Sequence, residues 1–569
     1  MHITDSHLIE PYGGQLSSLM LAADQAEALR RESLNLASLD LDWQQLCDLE
    51  MLLNGAYSPL SGYMGRADHD QVLEKLELVD GTCWPYPVTL TIAAKQAEKL
   101  KPGERVALRD GEGFMLAVLT ISDAWPSDPE REHALLEKSQ ASTGVELRAG
   151  LWHVGGTLEG VALPQHHDFA ALRLTPAELR SQLVKRGWRR IVAYLARQPM
   201  HRPHFQFCLK TAIEHEANLL VLPYGGGDLT GNADYFSLVR SVQAIMPRFP
   251  AATSQMALLP ASTRGSSLRD RLLRAIIARN YGCTHLIAGG EHEAEGEFRR
   301  GEDTTQDHGG FNLVSEAHQK LNVTLIPFPR MVYVEERAEH MAESDVPEGT
   351  RVQVMAGSEL LRRLKNGLKI PDWSSFPEVL AELQRAHPPK ERQGFTVFFT
   401  GLSGAGKSTI ARALAIRLME TGNRPVSLLD GDIVRRHLSS ELGFSREHRD
   451  INVRRIGFVA SEITKNRGVA ICAPIAPYQH TRRDVRAMIE PLGGFIEVHV
   501  ATPIETCELR DRKGLYAKAR AGLIPEFTGV SDPYEVPEHA EITVDTTNLE
   551  VDEAIQRILL KLEHEGYLR

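Results

Sequence analysis

The sequence predicts a multidomain α/β protein, β-rich at its start and carrying a phosphate-binding loop near the start of its last third. Three observations predict it. Residues 401–409 read Gly-Leu-Ser-Gly-Ala-Gly-Lys-Ser-Thr, a G-x-x-x-x-G-K-S-T run set between a strand-like and a helix-like stretch. From about 171 to 330, short apolar runs alternate with helical periodicity, the pattern of a parallel sheet. Before about 170, strand-like runs follow one another, separated by turn signals.

The bounds agree. A chain of 569 residues suggests roughly three or four domains. Hydrophobic content of 42% and charged content of 24% are ordinary for a globular protein. A net charge of −11 argues against a general nucleic-acid binder. The six cysteines have no C-x-x-C or framework spacing, which fits a reducing, cytoplasmic setting and no structural zinc. No apolar run approaches the roughly 18 residues of a membrane span, and the N-terminus shows no secretory pattern.

Taken in order, residues 1–170 carry strand-like runs at 88–92, 105–108 and 114–121, punctuated by Pro102-Gly103 and by the glycines at 111 and 113. Residues 171–330 carry strands at 190–195, 217–222 and 284–288, with a helical run at 269–280. At the end of the first of these strands stand Arg197, His201 and His204. Two histidines three apart at a helix start share a face and can address one phosphate. A metal reading of the pair is weak, because no third ligand follows at a recognisable spacing. Residues 331–388 form a small third region ending in a Pro-rich linker at 387–390, and 389–569 hold the phosphate-binding loop.

In that last region, 395–400 reads as a buried strand, and apolar residues from Ile410 to Met419 recur at helical spacing before Gly422 as a stop signal. Strand, Gly-rich turn and helix are what a phosphate site needs: glycines allow close backbone approach, and the helix start adds its positive dipole end. Gly401, Ser403, Gly404, Ala405, Gly406, Lys407, Ser408 and Thr409 are the ATP-binding candidates. Lys407 reaches the β/γ-phosphates and Ser408 offers a hydroxyl to Mg²⁺. A second strand at 426–429 ends in Asp430 and Asp432, carboxylates placed for Mg²⁺ binding or for activation of an acceptor hydroxyl. Asp430 suits the Mg²⁺ side and Asp432 the base or orienting role. Arg435, Arg436, Arg449, Arg454 and Arg455 follow, with Asn452 among them. Guanidinium forks recognise phosphate and sulfate, though such a cluster is also what a solvated helix face contains.

The runs Leu429 to Arg435, Leu442 to Ser445, Arg449 to Arg455, Cys507 to Tyr516, Lys518 to Gly522 and Phe527 to Glu535 together resemble adenylylsulfate (APS) kinases, over essentially residue 394 to the C-terminus. The resemblance implies transfer of the ATP γ-phosphoryl group to the 3′-hydroxyl of APS, giving PAPS, with Mg²⁺. It places Arg435, Arg449, Asn452, Ile475 and Lys518 on APS-binding positions, and Phe444 and Phe527 on the aromatics that sandwich the adenine. Where that family often has serine before Pro-Tyr, this chain has Ala476, which excludes a phosphoserine intermediate there and leaves direct in-line transfer.

The first two-thirds resemble ATP sulfurylase through Asn54 to Met64, Trp84 to Pro87, Leu174 to Arg180, the His-x-x-His of His201 and His204, and Gly367 to Trp373. The resemblance implies a β-rich first domain, a nucleotidyltransferase-like α/β domain, a small third domain, and a homo-oligomer built through this region. The active-site motifs depart from the family pattern. Gln-Thr-Arg-Asn becomes Leu195-Ala196-Arg197-Gln198, and Gly-Arg-Asp-His followed by Ala-Gly becomes Gly289-Gly290-Glu291-His292-Glu293-Ala294. Only Arg197, His201, His204 and His292 remain of the anion-handling set. Each lost preorganised donor typically costs about 2.7–4 kcal/mol, so two imply about 10⁴-fold or more. The expectation is an inactive or weak sulfurylase region; the alternative is a fully bifunctional enzyme that also makes APS and pyrophosphate.

Overall fold

The computed structural model describes residues 8–136, 150–225, 233–261, 268–288, 319–422, 424–511 and 514–568. The chain divides into two compact units, Met1–Ala356 with Ile370–Ala386, and Gly357–Lys369 with His387–Arg569. The expected boundary at 388 is therefore not a clean cut: the helix Gly357–Lys365 belongs with the second unit, while the helix Pro377–Ala386 belongs with the first.

In the first unit, strands β1 (Ala37–Asp40), β2 (Gly62–Tyr63), β3 (Leu90–Ala93), β4 (Arg105–Arg109), β5 (Met115–Pro126) and β6 (Leu151–Gly160) form one sheet. Its order is β1-β4-β5-β6-β2, with β3 also on β6. All its pairings are antiparallel except β1 with β4. A second sheet is wholly parallel, in the order β11 (Thr324–Pro327), β10 (His285–Ala288), β7 (Ile191–Ala196), β8 (Asn218–Pro223), β9 (Ser254–Met256). A small antiparallel sheet joins β12 (Met331–Val334), β13 (Glu339–Ala342) and β14 (Val352–Gln353).

The sheet predicted around 190–288 is thus present, and its helices start where local chemistry says they should. Before the helix Pro176–Lys185, Thr175 accepts from the Glu178 N–H while Glu178 accepts from the Thr175 N–H, a reciprocal box closed by proline at the first helical position. The antiparallel sheet and the parallel sheet share one hydrophobic core, from Leu49 and Leu119 through Ile191 and Leu220 to Leu286.

The second unit contains a parallel sheet in the order β16 (Val426–Asp430), β17 (Val469–Ala473), β15 (Phe395–Thr400), β18 (Gly494–Val500), β19 (Ile542–Val544). Alternation along β15 divides its side chains between two cores. Val397 and Phe399 join one with Ile410, Leu414 and Ile558, while Phe398 joins the other with Ile456, Cys472 and Val485. Burial on both faces explains why β15 reads as a continuous apolar run. Among the described residues no helix is long and apolar enough to cross a membrane.

Candidate functional site

The phosphate-binding loop leaves the central strand β15 at Thr400 and enters the helix Lys407–Thr421. Gly401 (φ 149°), Gly404 (φ 76°) and Gly406 (φ 103°) bend the loop. A Cβ at Gly401 would stand 2.5 Å from the Val500 carbonyl oxygen, so any side chain there forces β15 and β18 apart. Lys407 is buried, and its Nζ donates to the carbonyl oxygens of Gly401 (2.9 Å) and Leu402 (2.8 Å). Burial pushes its ammonium down to about 8, against the opposing pull of Cys507 and Asp430. Ser408 and Thr409 are exposed at the helix start.

A clamp that sequence reasoning missed fixes this loop. Thr502 Oγ1 (3.1 Å) and Thr546 Oγ1 (2.9 Å) both donate to the Ala405 carbonyl. Arg510 in turn donates to Thr546 Oγ1 (2.7 Å) and to its carbonyl (2.8 Å), and Tyr516 Oη donates to the Ser403 carbonyl (2.8 Å). Thr502 and Thr546 stand about a hundred residues or more from Ala405, so no local spacing announces them; only the strand ends at 500 and 544 could have pointed there.

On the acceptor side, Asp430 is buried at the end of β16, and Asp432 lies in the first turn of the helix Gly431–His437, its side chain outside the described set. Arg435 donates to the carbonyls of Leu442 (3.3 Å) and Gly443 (3.0 Å) and lies 4.4 Å over the Phe444 ring. The helix Arg446–Lys465, capped by Ser445, carries Arg449 and Asn452. Arg449 donates to Asp532 Oδ2 (2.6 Å), to Thr528 Oγ1 (2.9 Å) and to the Glu526 carbonyl, while Tyr478 Oη donates to the same Asp532 oxygen (2.7 Å). Asn452 is only 5% exposed, and its Oδ1 has no hydrogen-bond partner among the described residues.

The structure separates residues that the sequence grouped. Of the arginine cluster, Arg454 pairs with Asp484 (2.7 Å) and Arg455 with Glu441 (2.6 Å), both half-exposed, and Arg436 is exposed. These three fit the solvated-face reading. The two candidate stacking rings differ sharply. Phe444 is 64% exposed, whereas Phe527 is 9% exposed and packs edge-on against Tyr516 at 5.0 Å within the core. Lys518 is exposed on the helix Leu515–Arg520. Ile475 contributes its carbonyl, which accepts from the Gly401 N–H (3.2 Å) and Thr400 Oγ1 (2.8 Å). A cavity of about 860 Å³ lies between the end of β18 and residues 529–536, lined by Leu402, Thr502, Asp532 and Tyr534 among others. Lys407, Arg435 and Asn452 do not line it.

In the first unit, β7 ends at Leu195 and Ala196, both buried, and Leu195 (5% exposed) is part of the hydrophobic core. His201 caps the helix Arg202–Glu214; its N–H donates to His204 Nδ1 (3.3 Å), and its Nδ1 lies 2.9 Å from Ser375 Oγ. Burial pushes the His201 imidazole down to about 4, so it is neutral at pH 7. His204 is buried, stacked on Phe328 at 5.2 Å, with Gln198 Nε2 3.2 Å from its Nε2. Arg197 follows the strand, partly buried. His292, with Gly290, Glu291 and Glu293, lies outside the described residues.

Comparison with known proteins adds three domain matches: a PUA-like domain at 9–162, ATP-sulfurylase at 170–386 and adenylylsulphate kinase at 393–545. The chain is 42% identical to the sulfate adenylyltransferase of Emericella nidulans over 98% of its own length and 99% of the relative's. It is 40% identical to that of Neurospora crassa, again over 98% and 99%. Among solved structures it is similar to one described as a hexameric APS kinase from Thiobacillus denitrificans, with 57% identity and a TM-score of 0.84, covering 99% of this chain and all of that one.

Proposed function

This chain belongs to the fused ATP sulfurylase–APS kinase family, and from that premise we propose that its second unit transfers the γ-phosphoryl group of ATP to the ribose 3′-hydroxyl of APS. The observation that carries the reading is a buried lysine on the phosphate-binding loop, Lys407, and a buried carboxylate, Asp430, both at the carboxyl edge of one parallel sheet. Lys407, now held by the carbonyls of its own loop, turns to the ATP phosphates when they enter. The exposed Ser408 hydroxyl and the Asp430 carboxylate are hard oxygen donors that fit Mg²⁺; bound with ATP, that ion would neutralise phosphate charge. Arg435, Arg449, Asn452 and Lys518 hold APS, Asn452 with an oxygen already unsatisfied. As the 3′-oxygen forms its bond to the γ-phosphorus and the bond to ADP breaks, Asp432 takes or orients the hydroxyl proton.

For the first unit we propose no competent sulfate site. Leu195 and Ala196 are core residues, unable to donate to an oxyanion, and His201 is neutral. The bifunctional alternative is supported by relatives about 40% identical over nearly the full length that are named sulfate adenylyltransferase. The solved relative's description as hexameric supports a homo-oligomer, which we assign to the sulfurylase-like region. Two assays on one preparation test the whole reading. ATP, Mg²⁺ and APS should give PAPS and ADP, while ATP and sulfate should release no pyrophosphate above background. Absence of PAPS would overturn the kinase assignment, and rapid pyrophosphate release would establish the bifunctional enzyme.

A further inference from the structure

In the N-terminal sheet three potential ligands converge from three elements: His69 from the helix Arg66–Lys75, Glu132 from the helix Pro129–Leu136, and His153 from β6. One ligand atom from each lies within 4.8 Å of the other two. His69 is 3% exposed, and neither ring nitrogen makes a hydrogen bond among the described residues; its nearest charged neighbour is Asp70, 3.5 Å from Nδ1. An imidazole buried with both nitrogens unsatisfied is an unusual feature of a folded protein and points to a missing ligand. The packing around it is closed: the His69 and His153 rings stand 4.9 Å apart, with Trp125 5.4 and 5.5 Å from them.

The other two groups are already aimed. Thr89 Oγ1 lies 2.8 Å from His153 Nδ1, which turns Nε2 toward Glu132 Oε1 at 2.9 Å. The same Glu132 oxygen accepts from Ser127 Oγ and from the Asp128 N–H, each at 3.1 Å. A partner on the far nitrogen of a histidine and hydrogen bonds behind a carboxylate are the outer contacts that orient metal ligands.

We propose that His69, Glu132 and His153 form a zinc site that ties two helices to the N-terminal sheet. Two imidazole nitrogens and one carboxylate oxygen are a zinc ligand set, with bonds of about 2.0–2.2 Å. The three ligand atoms stand within 4.8 Å of one another, near the roughly 3.3 Å between ligands of a tetrahedral ion, and the 2.9 Å His153–Glu132 pair opens to admit the metal. Water completes the set, since Asp70 is engaged by Arg131 (2.9 Å). A simple His153–Glu132 ion pair would account for two of the residues and leave His69 unexplained. The cysteine spacing that argues against structural zinc does not bear on this set, which contains no cysteine.

The test uses the full chain, stripped with chelator and titrated with Zn²⁺ alone against a chromophoric competitor. Wild type should bind one more tight zinc per chain than His69→Ala or Glu132→Gln, and zinc should raise the melting temperature of wild type only. Equal zinc counts in wild type and both folded variants overturn the site. Should the variants fail to fold, Co²⁺ titration of wild type decides: intense visible bands of a four- or five-coordinate ion support the site, and only the weak spectrum of a hexaqua-like ion overturns it.

Discussion

Strands β7 and β15 occupy the same place in two different sheets. Each is the central strand of a parallel sheet, and each runs out through a turn into the start of a helix, where a phosphate is most easily held. Their turns have diverged. After β15, glycines with positive φ bend the backbone, and a buried lysine waits on its own loop carbonyls. After β7, the strand end is filled by Leu195 and Ala196, Met200 is buried, and the two histidines hold each other and the turn in place. Topology supplies a location for an anion; the side chains at the strand end decide whether one is received.

The largest expected difference lies between the two activities themselves. With at least two anion donors missing, sulfate-dependent pyrophosphate release by the unaltered chain should fall about 10⁴-fold or more below an ordinary enzymatic rate. Restoring Leu195→Gln, Ala196→Thr, Gln198→Asn, Gly290→Arg, Glu291→Asp and Glu293→Ala together should recover part of it, and single reversions almost none, because such residues act as a unit. Leu195→Gln alone should instead cost about 1–3 kcal/mol of stability, read by denaturant unfolding, since it puts an amide into the core. A neutral Leu195→Gln would mean that this side chain faces the site after all.

Next in size is the loss on the kinase side. Lys407→Ala should lower kcat/KM for PAPS formation by about 10²–10³-fold while the far-ultraviolet circular dichroism stays native. Because burial holds the free-enzyme ammonium down to about 8, the cation is lost as pH rises through that value. In wild type, kcat/KM for ATP should therefore decline above about pH 8, and the decline should be absent from Lys407→Ala. Wild-type turnover in the variant would erase the contrast between the two strands.

A finer contrast lies between two rings inside the second unit. Phe444→Ala should weaken APS binding by about 1–3 kcal/mol, with ATP binding and melting temperature nearly unchanged, because an exposed ring has a base face to offer. Phe527→Ala should act first on stability, by about 3 kcal/mol, because its ring is core against Tyr516. Equal APS losses without destabilisation would restore the symmetric sandwich that the sequence suggests.

Where each signal sits along the chain explains what was legible. The limits of β15 and the helix stop at Gly422 match their predicted positions because glycine punctuation and apolar runs are local. The parallel sheet around β7 was legible for the same reason. The threonine clamp on Ala405, the Asp532 partner of Arg449 and the cluster of His69, Glu132 and His153 were not, since each joins residues tens to more than a hundred positions apart. The sequence also gave no means to sort Arg435 and Arg449 from Arg454 and Arg455. In the fold Arg435 turns to the Leu442 and Gly443 carbonyls and Arg449 to residues 526–532, while Arg454 and Arg455 pair with Asp484 and Glu441.

The smallest predicted effect concerns Asp532. It forms a 2.6 Å pair with Arg449, both side chains close to nine-tenths buried, and also receives Tyr478 Oη. The pair can act in either of two senses. If Asp532 holds the guanidinium in the position APS needs, Asp532→Asn keeps an acceptor but removes charge, and the loss of charge assistance is worth about 1 kcal/mol. KM for APS should then rise about fivefold, with KM for ATP unchanged. If Asp532 instead competes with the anionic substrate for Arg449, the same change should lower KM. The expected sense is the first, because Thr528 and the Glu526 carbonyl also accept from the guanidinium and help hold it in place. A double-mutant cycle separates this from an effect through Tyr478: in an Arg449→Ala background, Asp532→Asn should have no further effect on KM for APS. A tighter APS complex, or a full additive loss in the double variant, would remove Asp532 from the positioning role.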